Sequence, residues 1–142
     1  MTDNEKAEPG GPARILIVDD NSVIRKVVEA KLIKSGYVVA GANSGTEALT
    51  KLAPNFEADA DPNERFDLVL LDIEMPRMDG YEVATHVRND ERLKDLPIIM
   101  ITSRTGAKHR EKAMEIGVNR YLGKPYQEDE LMENINAVIG LS

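Results

Sequence analysis

The sequence predicts an α/β fold built on a doubly wound parallel sheet, and three observations carry that prediction. Short apolar runs recur along the chain: RILIV (14–18), DLVLL (67–71), PIIMI (97–101) and, more weakly, NRYLG (119–123). A fifth run, YVVAG (37–41), is more ambiguous and suits an edge strand. Continuous apolar runs of this kind belong to strands covered on both faces. Segments with helical spacing separate the runs, and such alternation implies right-handed crossovers. Finally, polar residues sit at the carboxyl ends of the runs, where open α/β sheets bind their ligands.

The chain has 142 residues, enough for one domain. Its first segment, MTDNEKAEPGGPA (1–13), is rich in Pro, Gly and charge and reads as a flexible tail or linker. It lacks the apolar centre of a secretory signal. The domain proper is expected over 14–140. Residues 22–35 place Ile24, Val27, Val28 and Leu32 on one helical face, with Gly36 as the C-terminal cap. Ser44 and Glu47 have capping-box spacing and open a second helix; Asp79 and Glu82 repeat it ahead of Val83 and Val87. Residues 107–116 form a polar helix with Ala113 and Met114 inward and Gly117 as its stop. Leu131, Ile135, Val138 and Ile139 give 128–139 a helical stripe.

The stretch APNFEADADPNER (53–65) interrupts this rhythm and reads as an extended, solvated loop. Its acidic residues fit no EF-hand spacing for Ca²⁺.

Composition narrows the function classes. The net charge of -7 argues against nucleic acid as a direct partner, since the phosphate backbone calls for a basic surface. The chain has no Cys, which excludes disulfides and thiolate metal sites and fits a reducing, cytoplasmic setting. No apolar run has the roughly 18 residues of a membrane helix.

The strand-end residues form a constellation. Asp19 and Asp20 follow the first run and Asp72 the third. Thr102 follows the fourth, with Ser103 beside it, and Lys124 follows the fifth, before Pro125. Taken singly, each has a plain reading: an Asp as a helix cap, a Lys as a solvated charge, a Thr as a turn former. Together they share one edge of the sheet. Three converging carboxylates repel one another unless a cation joins them. A hard, oxygen-preferring ion such as Mg²⁺ fits, as neither Cys nor clustered His is available. An aspartate beside such an ion can act as a nucleophile and form an acyl phosphate. Lys124 would balance the new charge, and the Thr102 hydroxyl would donate to a phosphoryl oxygen.

The motifs ILIVDDN, LVLLDIEMPRMDGYE, IIMITS and YLGKPY resemble the receiver domains of two-component response regulators, across nearly all of 14–140. The resemblance implies a flavodoxin-like (βα)5 fold with strand order 2-1-3-4-5. It implies that Asp72 accepts phosphate from a histidine kinase or phosphotransfer domain. It further implies that Asp20 binds Mg²⁺ directly and Asp19 typically through water, with Asp72 and the Glu74 backbone carbonyl completing the metal set. Thr102 and Lys124 would engage the phosphoryl group, Tyr121 would swing inward as Thr102 moves, and Lys124–Pro125 would be cis. Glu74 and Arg104 occupy the positions that tune phosphoryl lifetime. Their opposite charges suggest a pair across the mouth of the site. The face formed by the 107–116 helix, the last strand and the last helix would then change its protein partners.

The segment ITSRTGAKHREKAMEIGVNRYLGKPYQE is similar to receivers at the C-terminus of chemotaxis-type hybrid histidine kinases, including those of type IV pilus systems; a free-standing regulator is the alternative. His86 and His109 read as ordinary surface residues. Neither a helix-turn-helix nor a second domain is visible, so action through protein contacts is expected.

Two other classes compete. A phosphatase of the aspartyl-phosphate type would carry a second Asp two residues after the nucleophile, where this chain has Glu74. A flavodoxin-like cofactor binder would cradle phosphate after the first strand, where DDNS offers two negative charges instead.

Overall fold

A computed structural model describes residues 12–57, 59, 61 and 64–139. The chain runs β1 (Arg14–Val18), α1 (Ser22–Lys34), β2 (Val38–Ala42), α2 (Gly45–Lys51), α3 (Ala53–Phe56), β3 (Leu68–Leu71), α4 (Gly80–Asn89), β4 (Ile98–Thr102), α5 (Ala107–Ile116), β5 (Arg120–Gly123) and α6 (Glu128–Ile139). All strand pairs are parallel, in the order β2-β1-β3-β4-β5. The expected fold and strand order are therefore present, with YVVAG at an edge.

The two-residue period of a strand sorts its side chains between two cores. Ile15, Ile17, Leu68, Leu70, Ile99 and Ile101 face Val28 and Leu32 of α1 and Leu131 and Ile135 of α6. Leu16, Val18, Val69, Leu71, Ile98 and Met100 face Ala48 of α2, Val83 and Val87 of α4, and Ala113 of α5. Both faces of the sheet are thus covered by helices, which is why the strands read as unbroken apolar runs.

The caps explain where the helices begin and end. Asn21 accepts from Val23 and Ile24 to start α1, and Gly36 follows its end at a φ of 98°. Asp79 and Glu82 form a full capping box on α4. At α2 the Ser44 hydroxyl accepts from Glu47 N–H, but the Glu47 carboxylate reaches back to Asn43 N–H instead of closing the box on Ser44. Gly117 ends α5 at a φ of 106°, a left-handed position that glycine adopts without steric cost.

Three expectations need correction. Ile24 and Val27 do not share the buried stripe of α1. They are 37% and 51% exposed, because the stripe centres on Val28 and Leu32. Met114 is also turned outward at 46% exposure, since the one buried position of α5 is its neighbour Ala113 and adjacent helical residues lie about 100° apart. The stretch 53–65 is not loop throughout. It opens with α3, where Pro54 occupies a first-turn position that has no intrahelical N–H bond to lose. Asn55 then ties this turn to the start of β3, donating to Phe66 O at 3.0 Å and accepting from Phe66 N–H at 2.9 Å. The tail over 1–11 and residue 140 lie outside the described residues.

At the end of the sheet away from the strand-end carboxylates, Arg88 of α4 acts as a clasp. It donates to Gly117 O at 2.9 Å, Leu96 O at 2.7 Å and Asn119 Oδ1 at 2.9 Å, and that same Asn119 oxygen accepts from Ile98 N–H at 2.9 Å. Arg88→Met keeps much of the apolar stem and removes every donor. It is expected to lower stability by about 1–3 kcal/mol in urea unfolding. An unchanged midpoint would show the clasp to be idle.

Candidate functional site

Strand register places the site. Val18 pairs with Leu71 and Asp72 N–H bonds Val18 O at 3.0 Å, so Asp19 and Asp72 emerge side by side. Thr102 pairs with Gly123, and Lys124 N–H bonds Thr102 O at 2.8 Å. The four strand ends β1, β3, β4 and β5 thus deliver the predicted residues to one edge.

Asp19, Asp20 and Asp72 offer carboxylate oxygens that all lie within 4.8 Å of one another. Asp19 and Asp72 are buried and Asp20 is exposed. The Lys124 ammonium is 3.2 Å from Asp19 Oδ2 and 3.8 Å from Asp72 Oδ2. Asp19 Oδ1 accepts from Asn21 N–H at 2.9 Å. Asp72 Oδ1 accepts a long bond from Glu74 N–H at 3.4 Å. Burial pushes the Asp72 carboxyl above the usual range; Lys124 opposes this and Asp19 adds to it.

This donor set suits a hard divalent cation. It is all oxygen, it carries excess negative charge, and the exposed Asp20 leaves room for the waters that Mg²⁺ retains. Among the described residues it is the one cluster of three carboxylate, His or Cys groups that can share an ion. The described acidic residues of 53–65 form no second one.

Thr102 is fully buried at the rim, its Oγ1 accepting from Arg104 N–H at 3.1 Å. Arg104 Nε donates to Glu74 Oε2 at 2.9 Å, and Ser103 Oγ donates to Glu74 Oε1 at 3.1 Å. The bond from Arg104, followed by that from Ser103, holds the Glu74 carboxyl below the usual range. The expected pair across the mouth is thus formed. Tyr121 is buried with its hydroxyl donating to Arg104 O, and Lys124–Pro125 is cis.

The loop after Asp72 is held close to α4. A Cβ on Gly80 would collide with the carbonyl oxygen of Asp72 and come within 2.9 Å of Ile73 Cα, so only glycine fits there. Gly80 N–H bonds Ile73 O at 2.9 Å. The intervening Arg77 has a φ of 71°, which side-chain-bearing residues adopt at a cost.

Two contributors were not evident in the sequence. Arg25, one turn into α1, donates from Nη1 to Asp19 O at 2.7 Å and lines the same cleft as Asp72 and Lys124. Only its position five residues after the acidic pair hinted at this. His109 is not an ordinary surface residue either: it is half-buried, with Nδ1 3.1 Å from the Tyr81 hydroxyl. His86 is exposed, as expected.

With this geometry the comparisons agree. The family profile described as the response regulator receiver domain matches residues 15–136. Chemotaxis protein CheY1 of Helicobacter pylori is 37% identical over 128 residues, covering 89% of this chain and 97% of that protein. The probable transcriptional regulator ycf27 of Guillardia theta is 39% identical over 126 residues, covering 89% of this chain but 45% of that longer protein. The chain therefore spans about half the length of some curated relatives and nearly all of others. The receiver domain of sensor histidine kinase PA1611 from Pseudomonas aeruginosa, solved with magnesium coordinated in its active-site cleft, superposes with a TM-score of 0.76 at 32% identity, covering 91% of this chain and 98% of that one. The chain belongs to the response regulator receiver domain family.

Proposed function

We infer that this chain is a phosphorylation switch whose acceptor is Asp72. The observation that carries the reading is the buried Asp72 carboxylate, set against Asp19, Asp20 and the Lys124 ammonium. An Asp72 oxygen attacks phosphorus in a donor phosphohistidine. The oxygen–phosphorus bond forms as the nitrogen–phosphorus bond breaks, and that electron pair returns to the donor's ring nitrogen. Bound Mg²⁺ would supply charge neutralisation at the transferring phosphoryl group. Asp19, Asp20, Asp72 and the Glu74 carbonyl would hold it. Lys124 is within reach of the new charge, and the Thr102 hydroxyl would exchange Arg104 N–H for a phosphoryl oxygen.

A donor has to rest on the rim around Asp72. Val23, Ile24 and Val27 form an exposed apolar patch on the first two turns of α1, and Ile24 itself lines the cleft. This patch suits a kinase or phosphotransfer helix bundle as the docking partner. The α5, β5 and α6 face would read the state of Thr102 through Tyr121 and select a downstream protein, without direct contact with nucleic acid or membrane. Among the described residues no helix is long and apolar enough to cross a membrane. We place the switch in the cytoplasm, either free-standing or as the receiver of a hybrid kinase, with no catalysis beyond its own phosphorylation and dephosphorylation.

Acetyl phosphate with Mg²⁺ should add one acid-labile phosphoryl group to the wild type and none to Asp72→Asn, read by intact mass. Absence of that group from the wild type sinks the switch. Steady turnover of a general phosphate ester points to the hydrolase alternative instead.

The raised Asp72 carboxyl gives a second test. A carboxyl with a raised folded-state pKa is stabilising while protonated, and that contribution is lost as pH rises through its folded value. Ionised Asp72 is therefore a burden at neutral pH. In EDTA, Asp72→Asn should melt above the wild type at pH 7, and the gap should close as pH falls below about 3.9, the ordinary aspartate value, where the carboxyl becomes protonated in either state. Mg²⁺ should raise the wild-type midpoint more than the variant's. Identical melting at pH 7 without metal contradicts this account.

Glu74 and Arg104 would partly shield the acyl phosphate from water. Replacing both by Ala is expected to shorten its lifetime by about fivefold in a dephosphorylation time course, a modest barrier change; an unchanged lifetime removes the role.

A further inference from the structure

Two of the three clustered carboxylates, those of Asp19 and Asp20, are joined by a single peptide link, and that link is held from outside the cluster. Asp19 leaves β1 with its N–H bonded to Ala42 O of β2 at 3.1 Å. Its carbonyl accepts from Arg25 Nη1 of α1 at 2.7 Å. The carbonyl oxygen of Asp19 lies in one plane with the N–H and Cα of Asp20. Fixing that oxygen therefore fixes the direction in which the chain delivers Asp20. Asp20 depends on this most, because Asp19 and Asp72 are buried and Asp20 is exposed. Packing limits where the first two can point, whereas the backbone path decides it for Asp20.

Arg25 is seated to hold the link. Its side chain is 15% exposed, and the Glu29 carboxylate one turn further along α1 stands 3.8 Å from its Nε. Both side chains lie over Gly41 of β2. A Cβ at that position would collide with the Glu29 carboxylate and come within 2.9 Å of Arg25 Cδ and Nε, so the glycine leaves the berth that the guanidinium needs. Arg25 lines the same cleft as Asp19 and Asp72, yet among the described residues its ion pair is with Glu29. Its bond into the site goes to a carbonyl, so it does not compete with a metal for carboxylate oxygens.

We propose that Arg25 is a positioning residue for the metal: by holding the Asp19 carbonyl it aims the Asp20 carboxylate, and Glu29 and Gly41 keep it in place. The proposal rests on the reading that Asp19, Asp20 and Asp72 hold Mg²⁺. Charge alone predicts the opposite effect. A guanidinium beside a divalent cation repels it, so an Arg25 that acted only as a charge would weaken Mg²⁺ binding, and its removal would tighten it. The sign of the change therefore separates the two roles.

The test is a titration with Mg²⁺ alone, followed by amide NMR, of wild type, Arg25→Met, Gly41→Ala and Arg88→Met. Arg25→Met should bind Mg²⁺ about tenfold more weakly, the low end for a residue that orients a metal ligand from outside the coordination shell. Gly41→Ala changes no charge, and it should also weaken binding as its methyl group displaces Arg25. It carries the test if Arg25→Met fails to fold, which the same spectra reveal. Arg88→Met, at the opposite end of the sheet, loosens the fold without touching Arg25 and should keep the wild-type affinity. Wild-type affinity in both Arg25→Met and Gly41→Ala overturns the proposal. So does tighter binding in Arg25→Met, or an equal weakening in Arg88→Met. A wild type that shows no response to Mg²⁺ removes the metal reading itself, and this inference with it.

Discussion

The structure turns on the ammonium of Lys124. Three carboxylates converge within 4.8 Å of one another and this one side chain stands between two of them. Two of the carboxylates are buried, where like charges are screened least. Lys124 therefore offsets part of a repulsion that the rest of the sheet enforces. Three carboxylates against the one ammonium paired with them leave an excess of negative charge, which suits a divalent cation. Lys124 reaches this position only because β5 pairs with β4 in a register that ends at Thr102 and Gly123. The apolar runs, the two cores and the helix caps all serve to hold four strand ends at fixed spacing against that repulsion.

Arg104 is the point at which the charge cluster meets the rest of the molecule. Its N–H bonds the Thr102 hydroxyl, its carbonyl accepts from Tyr121, and its guanidinium pairs with Glu74. On the proposed function, a Thr102 hydroxyl that gave up the Arg104 N–H for a phosphoryl oxygen would free one of these bonds and disturb the other two. No long pathway is needed, since a single backbone segment carries both the carbonyl that accepts from Tyr121 and the guanidinium that pairs with Glu74. Such a change would couple local electrostatics to packing across β4, β5 and α5.

Much of this was legible in the sequence, for physical reasons that differ by residue. The strands were visible because both faces are buried, so Ile15 through Val18 or Ile98 through Met100 had no polar residue to interrupt them. Asp19, Asp72, Thr102 and Lys124 were visible because each directly follows or ends such a run. What the local pattern does not carry depends on contacts between elements distant in sequence. Nothing in the local pattern tells that Arg25 turns back to Asp19 O, or that His109 meets a phenol 28 positions earlier. Helical faces are ambiguous in sequence where apolar residues are adjacent: Val27 and Val28, or Ala113 and Met114, cannot both face the sheet. Pro54 and Asn55 looked like loop residues, and they form a short turn because Asn55 is pinned by Phe66.

The two cores are not equivalent, and the difference locates where a switch can operate. Buried residues on the α1 and α6 side are all aliphatic. They pack by shape alone, and a close-packed aliphatic layer offers no second set of discrete partners. The other core contains Tyr81 and Tyr121, whose hydroxyls bond His109 and Arg104. Buried hydroxyls have a small number of satisfactory partners, and moving from one to another is a step, not a drift. The α1 side is accordingly suited to be a rigid platform on which a donor docks. Any step between alternative arrangements belongs on the side of α4 and α5, where hydroxyls lie inside the apolar layer.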